Sequence, residues 1–247
     1  MAIDETPFLS IVIPAYNEET RIIPSLMKIL NFLREQPYSA EVIVVDDGST
    51  DSTARLVEEF VRSHPAITLI RAKHGGKGHV VRTGMLAATG INRFMCDADL
   101  SMPIEETSKF FPAMGSEYDI AIASREAPGA RRIDEPALRH LMGRVFNLIV
   151  RVVAVPGFAD TQCGFKCFSQ KATALVFPLQ TMDGWAFDVE LLFIARKYGL
   201  RTAEVPIHWY YMSSSKVSPV RDTYRMFKEA LSVRLNDWRG RYDCPKG

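Results

Sequence analysis

Two aspartates, Asp97 and Asp99, flank Ala98 directly after the mostly apolar run 94–96. Residues i and i+2 of a β-strand point to the same face, so both carboxylates are expected to project together from the end of a strand. Carboxylates this close repel each other unless a cation accompanies them, and their hard oxygen atoms suit Mg²⁺ or Mn²⁺. Such a metal ion can hold a diphosphate. For the tripeptide alone, an Asp pair that simply begins a turn is the alternative.

A second acidic pair, Asp46 and Asp47, follows the apolar segment 41–45 and precedes Gly48. Helix capping explains the acid and the hydroxyl at Asp51 and Ser52, but it does not explain two adjacent acids before a glycine. An acid at this position can accept hydrogen bonds from a nucleobase or a ribose. The second pair therefore indicates a nucleotide site.

A glycine-flanked lysine, Lys77, lies at the expected start of a helix. Backbone N–H groups at a helix start and the lysine ammonium can both meet phosphate. The spacing of the glycines around Lys77 fits neither a P-loop nor the G-x-G-x-x-G dinucleotide motif. A flexible basic loop is the alternative for this segment.

The elements that position these motifs alternate between strand and helix patterns in the first half of the chain. The order predicts a mainly parallel sheet with helices on both faces, an α/β fold, and ligands in such sheets bind beyond the carboxyl ends of the strands. All three motifs fall at those ends. We predict strands at 8–14, 41–45, 67–71, 92–96 and 119–123, and helices at 19–35, 52–63 and from the loop 73–78 to about 89.

The second half of the chain is less regular. It contains a charged loop, a polar and aromatic stretch, three helical patterns and one further strand pattern. The whole chain has 247 residues, which is enough for one large α/β domain, and we expect that domain to span the chain. The segments are a loop at 125–135, a helix at 136–155, the polar-aromatic stretch 160–168, a helix at 185–198, a strand at 201–207, a loop at 213–219 and a helix at 220–238.

Composition excludes several classes of protein. Apolar residues make up 47% and charged residues 24%, which is ordinary for a globular domain, and the net charge of +1 argues against nucleic acid as a partner. The four cysteines lack the spacing of a zinc site, and reduced thiols are expected. Residues 1–7 are polar and acidic, unlike a signal peptide, and no apolar run approaches the ~20 residues of a membrane-spanning helix.

Taken in order, the motifs at 12–18, 45–51, 76–78 and 97–99 resemble those of the family 2 glycosyltransferases, which have the GT-A fold. The resemblance continues through 124–125, 160–166, 185–190 and 214–217, and so covers about residues 9–235. The motifs of the second half are similar to the branch that glycosylates dolichyl or polyprenyl phosphate, which includes glucosyl and mannosyl transferases. The resemblance implies one GT-A domain over 1–247, with a nucleotide-binding half at 8–124, an acceptor half at 125–212 and a C-terminal loop and helix at 213–247.

The resemblance also implies roles for single residues. A metal ion, Mg²⁺ or Mn²⁺, would be held by Asp97 and Asp99, with the diphosphate and water completing its ligands. The implied catalytic residues are Asp99, Gln162 near the donor sugar, and Asp188 as the candidate base. The implied nucleotide-binding residues are Pro14, Ala15, Tyr16, Glu18, Asp46, Asp47, Lys77, Asp97 and Ala98, and the implied phosphate or acceptor-binding residues are Arg125, Arg131 and Lys216.

The activity implied is inverting transfer of glucose from UDP-glucose to dolichyl or polyprenyl phosphate, with a GDP-mannose-dependent enzyme as the alternative. A phosphate acceptor is already an anion, so we expect Asp188 to orient groups and not to be indispensable as a proton acceptor. Two other classes of protein are alternatives. A nucleotidyltransferase would need a glycine-rich stretch after the first strand, where this chain has 14–18, and a non-catalytic module does not need the acids retained here.

The helix predicted at 136–155 favours contact with a membrane surface. His140, Arg144, Asn147 and Arg151 form a polar stripe, a wide apolar surface surrounds it, and the segment has no acids. A basic, strongly apolar amphipathic helix can lie in a membrane interface, and a buried core helix is the alternative. The helix at 220–238 has a second apolar stripe. We expect a cytoplasmic protein associated peripherally with the cytoplasmic face of a membrane.

Overall fold

The computed structural model describes residues 6–115, 117–212 and 219–244. Its first half has the predicted alternation of strands and helices, with bounds that differ from the predictions by a few residues. The strands are β1 (Leu9–Ala15), β2 (Ala40–Asp46), β3 (Ile67–Arg71) and β4 (Asn92–Met95), and the helices between them are α1 (Ile22–Arg34), α2 (Thr53–Val61) and α3 (Lys77–Ala87).

The second half contains more elements than the sequence predicted. The expected loop 125–135 includes a strand, and the polar-aromatic stretch 160–168 runs into another strand and then a helix. After β4 the chain forms a 3₁₀ helix (Ile104–Lys109), α4 (Phe111–Met114), β5 (Ile120–Ser124), β6 (Arg131–Ile133), α5 (Ala137–Val153), β7 (Lys166–Ser169), α6 (Gln170–Leu179), α7 (Phe187–Lys197), β8 (Thr202–Pro206), β9 (His208–Tyr210) and α8 (Pro219–Trp238).

The central sheet has seven strands in the order β3-β2-β1-β4-β7-β5-β8. β7 pairs antiparallel with both β4 and β5, whereas the other pairings in this sheet are parallel. The segment that leads into β7 therefore emerges at the edge where the other strands end. This single reversal brings residues 160–165 to the predicted ligand-binding edge. β6 and β9 pair as a separate two-stranded sheet.

Apolar side chains on the two faces of the sheet form two cores. In β1, Ile11 and Ile13 pack on the side of α1 and α2, while Val12 between them packs on the side of α3, α6 and α7. This alternation follows from the two-residue repeat of a strand. The prediction of a mainly parallel sheet covered by helices on both faces is confirmed.

α5 is a surface helix, so the alternative of a buried core helix is wrong. Val150 is fully buried, but four apolar side chains spaced along one face are exposed, up to 75% for Val152. α8 packs against α5 and has a second exposed apolar row that ends at Trp238, which is 80% exposed. None of the helices in the described ranges is long and apolar enough to span a bilayer. The exposed residues are Leu141, Val145, Leu148 and Val152 on α5, and Leu231, Leu235 and Trp238 on α8.

Candidate active site

The predicted site residues of the first half lie along one edge of the central sheet. β1 ends with Pro14 and Ala15, and β2 ends with Asp46. Lys77 is the first residue of α3, which follows β3. Asp97 lies two residues after the end of β4. Because these four strands are parallel, their ends bring the three polar motifs together, as predicted.

The loop after β1 is tied to the loop after β2 through Asn17. The Asn17 backbone has φ of 53°, a left-handed conformation that asparagine tolerates. Its side-chain Oδ1 accepts a hydrogen bond from the Thr50 backbone N–H at 2.8 Å. The preceding Tyr16 ring stacks on His74, with ring centroids 4.6 Å apart. The following Glu18 is held by Arg21, whose Nη2 donates to Glu18 Oε1 at 2.9 Å.

Asp46 and Asp47 do different things. Asp47 accepts hydrogen bonds from the backbone N–H groups of Gly75 at 2.7 Å and Gly76 at 3.0 Å, so it holds the loop before Lys77. Asp46 accepts one from the Ser49 N–H at 3.1 Å through Oδ2. Its Oδ1 is buried and has no hydrogen-bond partner among the described residues. A buried acceptor without a partner is costly, and a ligand donor would satisfy it.

Glycines on either side of Lys77 are required by close backbone packing. Gly76 has φ of +104°, and a Cβ there would lie 2.6 Å from the carbonyl oxygen of Asp183. A Cβ at Gly78 would lie 2.5 Å from the carbonyl oxygen of Met182. The loop is therefore held between Asp47 on one side and residues 182–183 on the other. This fixes the start of α3 and the direction of Lys77.

The ammonium of Lys77 lies 2.5 Å from Asp97 Oδ1, and it is 5.5 Å from the centre of the Trp185 ring. Burial alone would lower the pKa of Lys77, but the charges of Asp97 and Asp188 outweigh it and raise the pKa. Lys77 is therefore firmly charged at neutral pH. The predicted phosphate-binding lysine is paired with a predicted metal ligand.

Asp97 and Asp99 follow β4 in a turn at 98–99, so the extended i, i+2 geometry expected from their spacing does not apply to them. The other carboxylate oxygen of Asp97 faces Gly164, where a Cβ would lie only 1.9 Å from Oδ2. Asp99 Oδ1 accepts a hydrogen bond from the Ser101 N–H at 3.0 Å. Burial and then the charge of Asp97 raise the pKa of Asp99. Ala98 between them is buried, and its carbonyl oxygen accepts from Ser25 Oγ at 2.7 Å.

Asp188 lies in the first turn of α7 and is paired with Lys166, a residue to which the sequence reasoning gave no role. Lys166 is completely buried, and its ammonium lies 2.6 Å from Asp188 Oδ1 and 2.5 Å from the carbonyl oxygen of Cys163. Burial raises the pKa of Asp188, and the charges of Lys166 and Lys77 oppose that rise. The candidate base is thus a buried carboxylate that already binds an ammonium.

Arg125 and Asp160 form the other buried ion pair at this edge. Arg125 donates to Asp160 through Nε at 2.6 Å, through Nη2 at 2.9 Å and through its backbone N–H at 3.1 Å. Burial would raise the pKa of Asp160, but the Arg125 charge and these hydrogen bonds lower it to about 2. The Arg125 guanidinium also lies 5.4 Å from the Trp209 ring centre. Gln162 follows, and its buried Nε2 has no partner among the residues described.

The structure thus joins Lys77, Asp97, Asp188 and Lys166 by direct contacts and strong charge interactions. Arg131 lies apart from them, with an exposed side chain in the two-stranded sheet. Lys216 lies outside the described residues. Sequence reasoning missed Lys166, and the available signal was a lysine within an otherwise apolar and aromatic run, 165–168.

The pair Asp97 and Asp99 has the donor chemistry for Mg²⁺ or Mn²⁺. Within 6–115, 117–212 and 219–244, no group of three or more His, Cys, Asp or Glu side chains is placed to hold a metal ion. Burial and then the charge of Asp97 raise the pKa of Asp99, and a bound cation would stabilise its ionised form. The residues fit a metal ion whose other ligands come from a bound diphosphate and water.

Most of the chain matches a known protein family. The model described as glycosyl transferase family 2 matches residues 10–173, and the chain belongs to this family. It is 33% identical over 242 residues to a dolichyl-phosphate beta-glucosyltransferase of Dictyostelium discoideum, covering 92% of this chain and 74% of that protein. It is also 33% identical to the human protein of that name over 247 residues, covering 93% and 76%.

Solved structures with this fold include two sugar transferases. Glucosyl-3-phosphoglycerate synthase from Mycobacterium tuberculosis, in complex with Mn²⁺, UDP-glucose and phosphoglyceric acid, has a TM-score of 0.65 at 19% identity, covering 98% of this chain and 82% of that one. Mannosyl-3-phosphoglycerate synthase from Rubrobacter xylanophilus has a TM-score of 0.67 at 19% identity, covering 98% and 77%. At these identities the likeness concerns the fold alone, and the predicted GT-A fold is confirmed.

Proposed function

We propose that the protein transfers glucose from UDP-glucose to dolichyl or polyprenyl phosphate with inversion at the anomeric carbon, giving a β-linked lipid-phosphate sugar. The observation that carries the proposal is the similarity, over more than nine tenths of the chain, to relatives named dolichyl-phosphate beta-glucosyltransferase. The arrangement of the site supports it. Acidic and basic side chains that suit a nucleotide diphosphate meet at one edge of the sheet.

The donor nucleotide would bind across the ends of β1 and β2. The unpartnered Oδ1 of Asp46 can accept the N3–H of uracil, while the stacked rings of Tyr16 and His74 offer an aromatic surface beside it. The start of α3 and Lys77 would hold the diphosphate. A Mg²⁺ or Mn²⁺ ion on Asp97 and Asp99 would supply the positive charge that stabilises the leaving diphosphate.

The transfer itself needs little proton chemistry. An oxygen of the acceptor phosphate forms a bond to the anomeric carbon as the bond from that carbon to the diphosphate breaks, so UDP leaves from the opposite face. The attacking oxygen is already anionic at neutral pH, and no proton has to be removed. Because Asp188 already binds Lys166, its role is to orient groups near the reacting atoms.

The acceptor would reach the site along α5. An open groove of about 580 Å³ lies beside this helix, and its lining combines exposed apolar side chains with Arg144 and Arg151. Ala159 at the far side of the groove directly precedes Asp160, which binds Arg125. A lipid chain on the apolar face of α5 would therefore place its phosphate near Arg125. Arg131 and Lys216 are the other proposed phosphate ligands.

Membrane association is part of this proposal, because the lipid acceptor resides in a membrane. The apolar rows of α5 and α8 would lie on the cytoplasmic face of a bilayer, with the arginines of α5 at the level of anionic headgroups. Arg144 and Arg151 changed together to Gln should lower co-sedimentation with anionic liposomes, and Leu148→Gln with Val152→Gln should lower it further. Met27→Gln, an exposed apolar residue on α1, is the control. Unchanged sedimentation would contradict a role for α5.

The activity test is a donor screen. The full chain is incubated with a short polyprenyl phosphate, Mg²⁺ or Mn²⁺, and either UDP-glucose or GDP-mannose, and release of the nucleoside diphosphate is measured together with the glycolipid formed. We expect release from UDP-glucose that requires the lipid, that is lost in Asp99→Ala and that is unchanged in Glu59→Ala, an exposed residue of α2. Turnover of GDP-mannose but not of UDP-glucose would show that the transferred sugar is mannose and not glucose. Nucleotide binding without turnover would favour a non-catalytic binding module.

A further inference from the structure

One carboxylate oxygen of Asp97, the candidate metal ligand, is paired with a lysine in the free protein. Its Oδ1 lies 2.5 Å from the ammonium of Lys77, and its Oδ2 faces Gly164 so closely that one added carbon would lie 1.9 Å away. Magnesium–oxygen distances are about 2.0–2.1 Å, so a divalent ion bound to Asp97 would come within a few ångström of the lysine charge. The two positive charges would repel each other at this distance, which weakens metal binding while Lys77 stays on Asp97.

The backbone at Lys77 is fixed by its surroundings. The loop before it is held by the carboxylate of Asp47, and Gly76 and Gly78 pack against the backbone of residues 182–183. The ring of Trp185 lies on the other side of the ammonium. The start of α3 therefore stays in place while the long lysine side chain is the part that can turn.

We propose that Lys77 is an internal counter-ion that closes the cation site in the free protein and gives up Asp97 when a nucleoside diphosphate arrives. The diphosphate offers Lys77 new anionic partners at the start of α3, and Asp188 lies near enough to interact with its charge. Asp97 is then available to the metal ion. The consequence is that the divalent cation binds weakly by itself and enters with the nucleotide. This inference rests on the proposed function and adds an order of binding to it.

The proposal predicts that removal of the lysine charge tightens metal binding in the absence of nucleotide. Free Mn²⁺ is measured by electron paramagnetic resonance as the full chain is titrated without nucleotide. Lys77→Met should bind Mn²⁺ about tenfold or more tightly than the wild type, a typical size for coupling between sites. Lys73→Met is the matched control. It removes the same charge from the exposed part of the same loop, and it should change Mn²⁺ affinity by less than about twofold.

A measurement on the unaltered protein covers the case in which Lys77→Met does not fold. Lysine acetylation by a small reagent is followed by mass spectrometry with and without Mn²⁺. If Mn²⁺ displaces Lys77 from Asp97, acetylation of Lys77 should rise with Mn²⁺ while that of Lys73 stays constant. A folded Lys77→Met that binds Mn²⁺ no more tightly, or Lys77 acetylation that does not rise as Mn²⁺ binds, overturns the proposal. Turnover of UDP-glucose measured alongside reports separately on the proposed function.

Discussion

The two sides of the site each have a carboxylate paired with a basic residue, and the pairs differ in how completely the carboxylate is satisfied. Asp160 receives three hydrogen bonds from Arg125 and one from the Gln162 N–H, and its side chain is 3% exposed. Asp97 contacts the Lys77 ammonium, and its side chain is 25% exposed. We call the side with Arg125 and Asp160 the closed side, because fixed donors satisfy the Asp160 carboxylate. We call the side with Lys77, Asp97 and Asp99 the open side, because Asp97 stays partly exposed and its lysine partner can be exchanged.

The difference shows how to tell a framework carboxylate from a ligand-binding one. Asp160 has a pKa lowered to about 2, because fixed donors surround its charge and compensate its burial. At the open side, burial and the charge of Asp97 raise the pKa of Asp99 instead. Uncompensated negative charge beside an opening invites a cation, whereas compensated charge holds two segments of chain together. Substitutions on the open side should therefore affect activity, and substitutions on the closed side should affect stability.

The largest effect is expected where Gly164 touches Asp97. Gly164→Ala would place a Cβ 1.9 Å from Asp97 Oδ2, so the carboxylate must leave its present position. We expect kcat/KM for sugar transfer to fall about a thousandfold, since a misplaced ligand removes several kcal/mol of charge stabilisation. The free energy of unfolding, measured by thermal denaturation, should fall by only about 1–3 kcal/mol, so the protein stays folded.

Gly115→Ala is the control for this prediction. Gly115 follows α4, and a Cβ there would meet only the carbonyl oxygen of Phe111 at 3.3 Å. Its activity should stay within about twofold of the wild type. Full activity in Gly164→Ala would show that sugar transfer does not depend on the present position of Asp97. It would contradict the proposed metal-binding role of Asp97 and Asp99.

Substitution of Asp160, on the closed side, should lower the free energy of unfolding. Asp160→Asn leaves the buried Arg125 guanidinium without its carboxylate, and removal of one partner of a buried ion pair costs about 3–5 kcal/mol of unfolding free energy. Urea unfolding measures this loss of unfolding free energy. Glu59→Gln, which breaks the exposed Arg55–Glu59 pair of α2, should cost less than about 0.5 kcal/mol. An Asp160→Asn protein as stable as the wild type would contradict the framework role.

Much of the first half could be predicted from the sequence because local patterns dominate there. β3 was predicted at its observed bounds, and the helices α1 and α2 show strong apolar periodicity. β6, β7 and β9 have only three or four residues each, too few for alternation to be recognised. β7 exists because β4 and β5 pair with it from both sides. A strand that forms through pairing with distant segments shows no recognisable strand pattern in its own sequence.

The same limit applies to the site. The motif of Asp97 and Asp99 is local, and the structure places it after the end of β4 as predicted, although in a turn and not in extended strand geometry. The pairing of Lys166 with Asp188 depends on the reversed direction of β7, which turns a lysine at its start toward the first turn of α7. The contact between Gly164 and Asp97 depends on the same reversal. Neither could be derived from residue spacing.

Acid should weaken the pairing of Asp160 with Arg125 only at low pH, because the pKa of Asp160 is lowered. The pKa of Asp160 is lower in the folded protein than in the unfolded chain, so its contribution is present above about pH 4 and is lost as the pH falls toward about 2. The lost contribution is about 2 kcal/mol of unfolding free energy. The stability difference between wild type and Asp160→Asn should therefore shrink by that amount between about pH 5 and pH 2 in urea unfolding. A difference that stays constant over this range would contradict the assigned pairing.

Asp188 lies between the two cases, because it is buried like Asp160 and yet interacts with Lys77 at the open side. Asp188→Asn keeps the size and polarity of the side chain and removes the charge that faces Lys166. If Asp188 orients groups near an acceptor that is already anionic, kcat should fall only about tenfold and its pH dependence near neutrality should stay flat. Circular dichroism and UDP binding check that the fold and the donor site persist. A complete loss of turnover in a folded protein that still binds UDP would assign Asp188 a proton-accepting role instead.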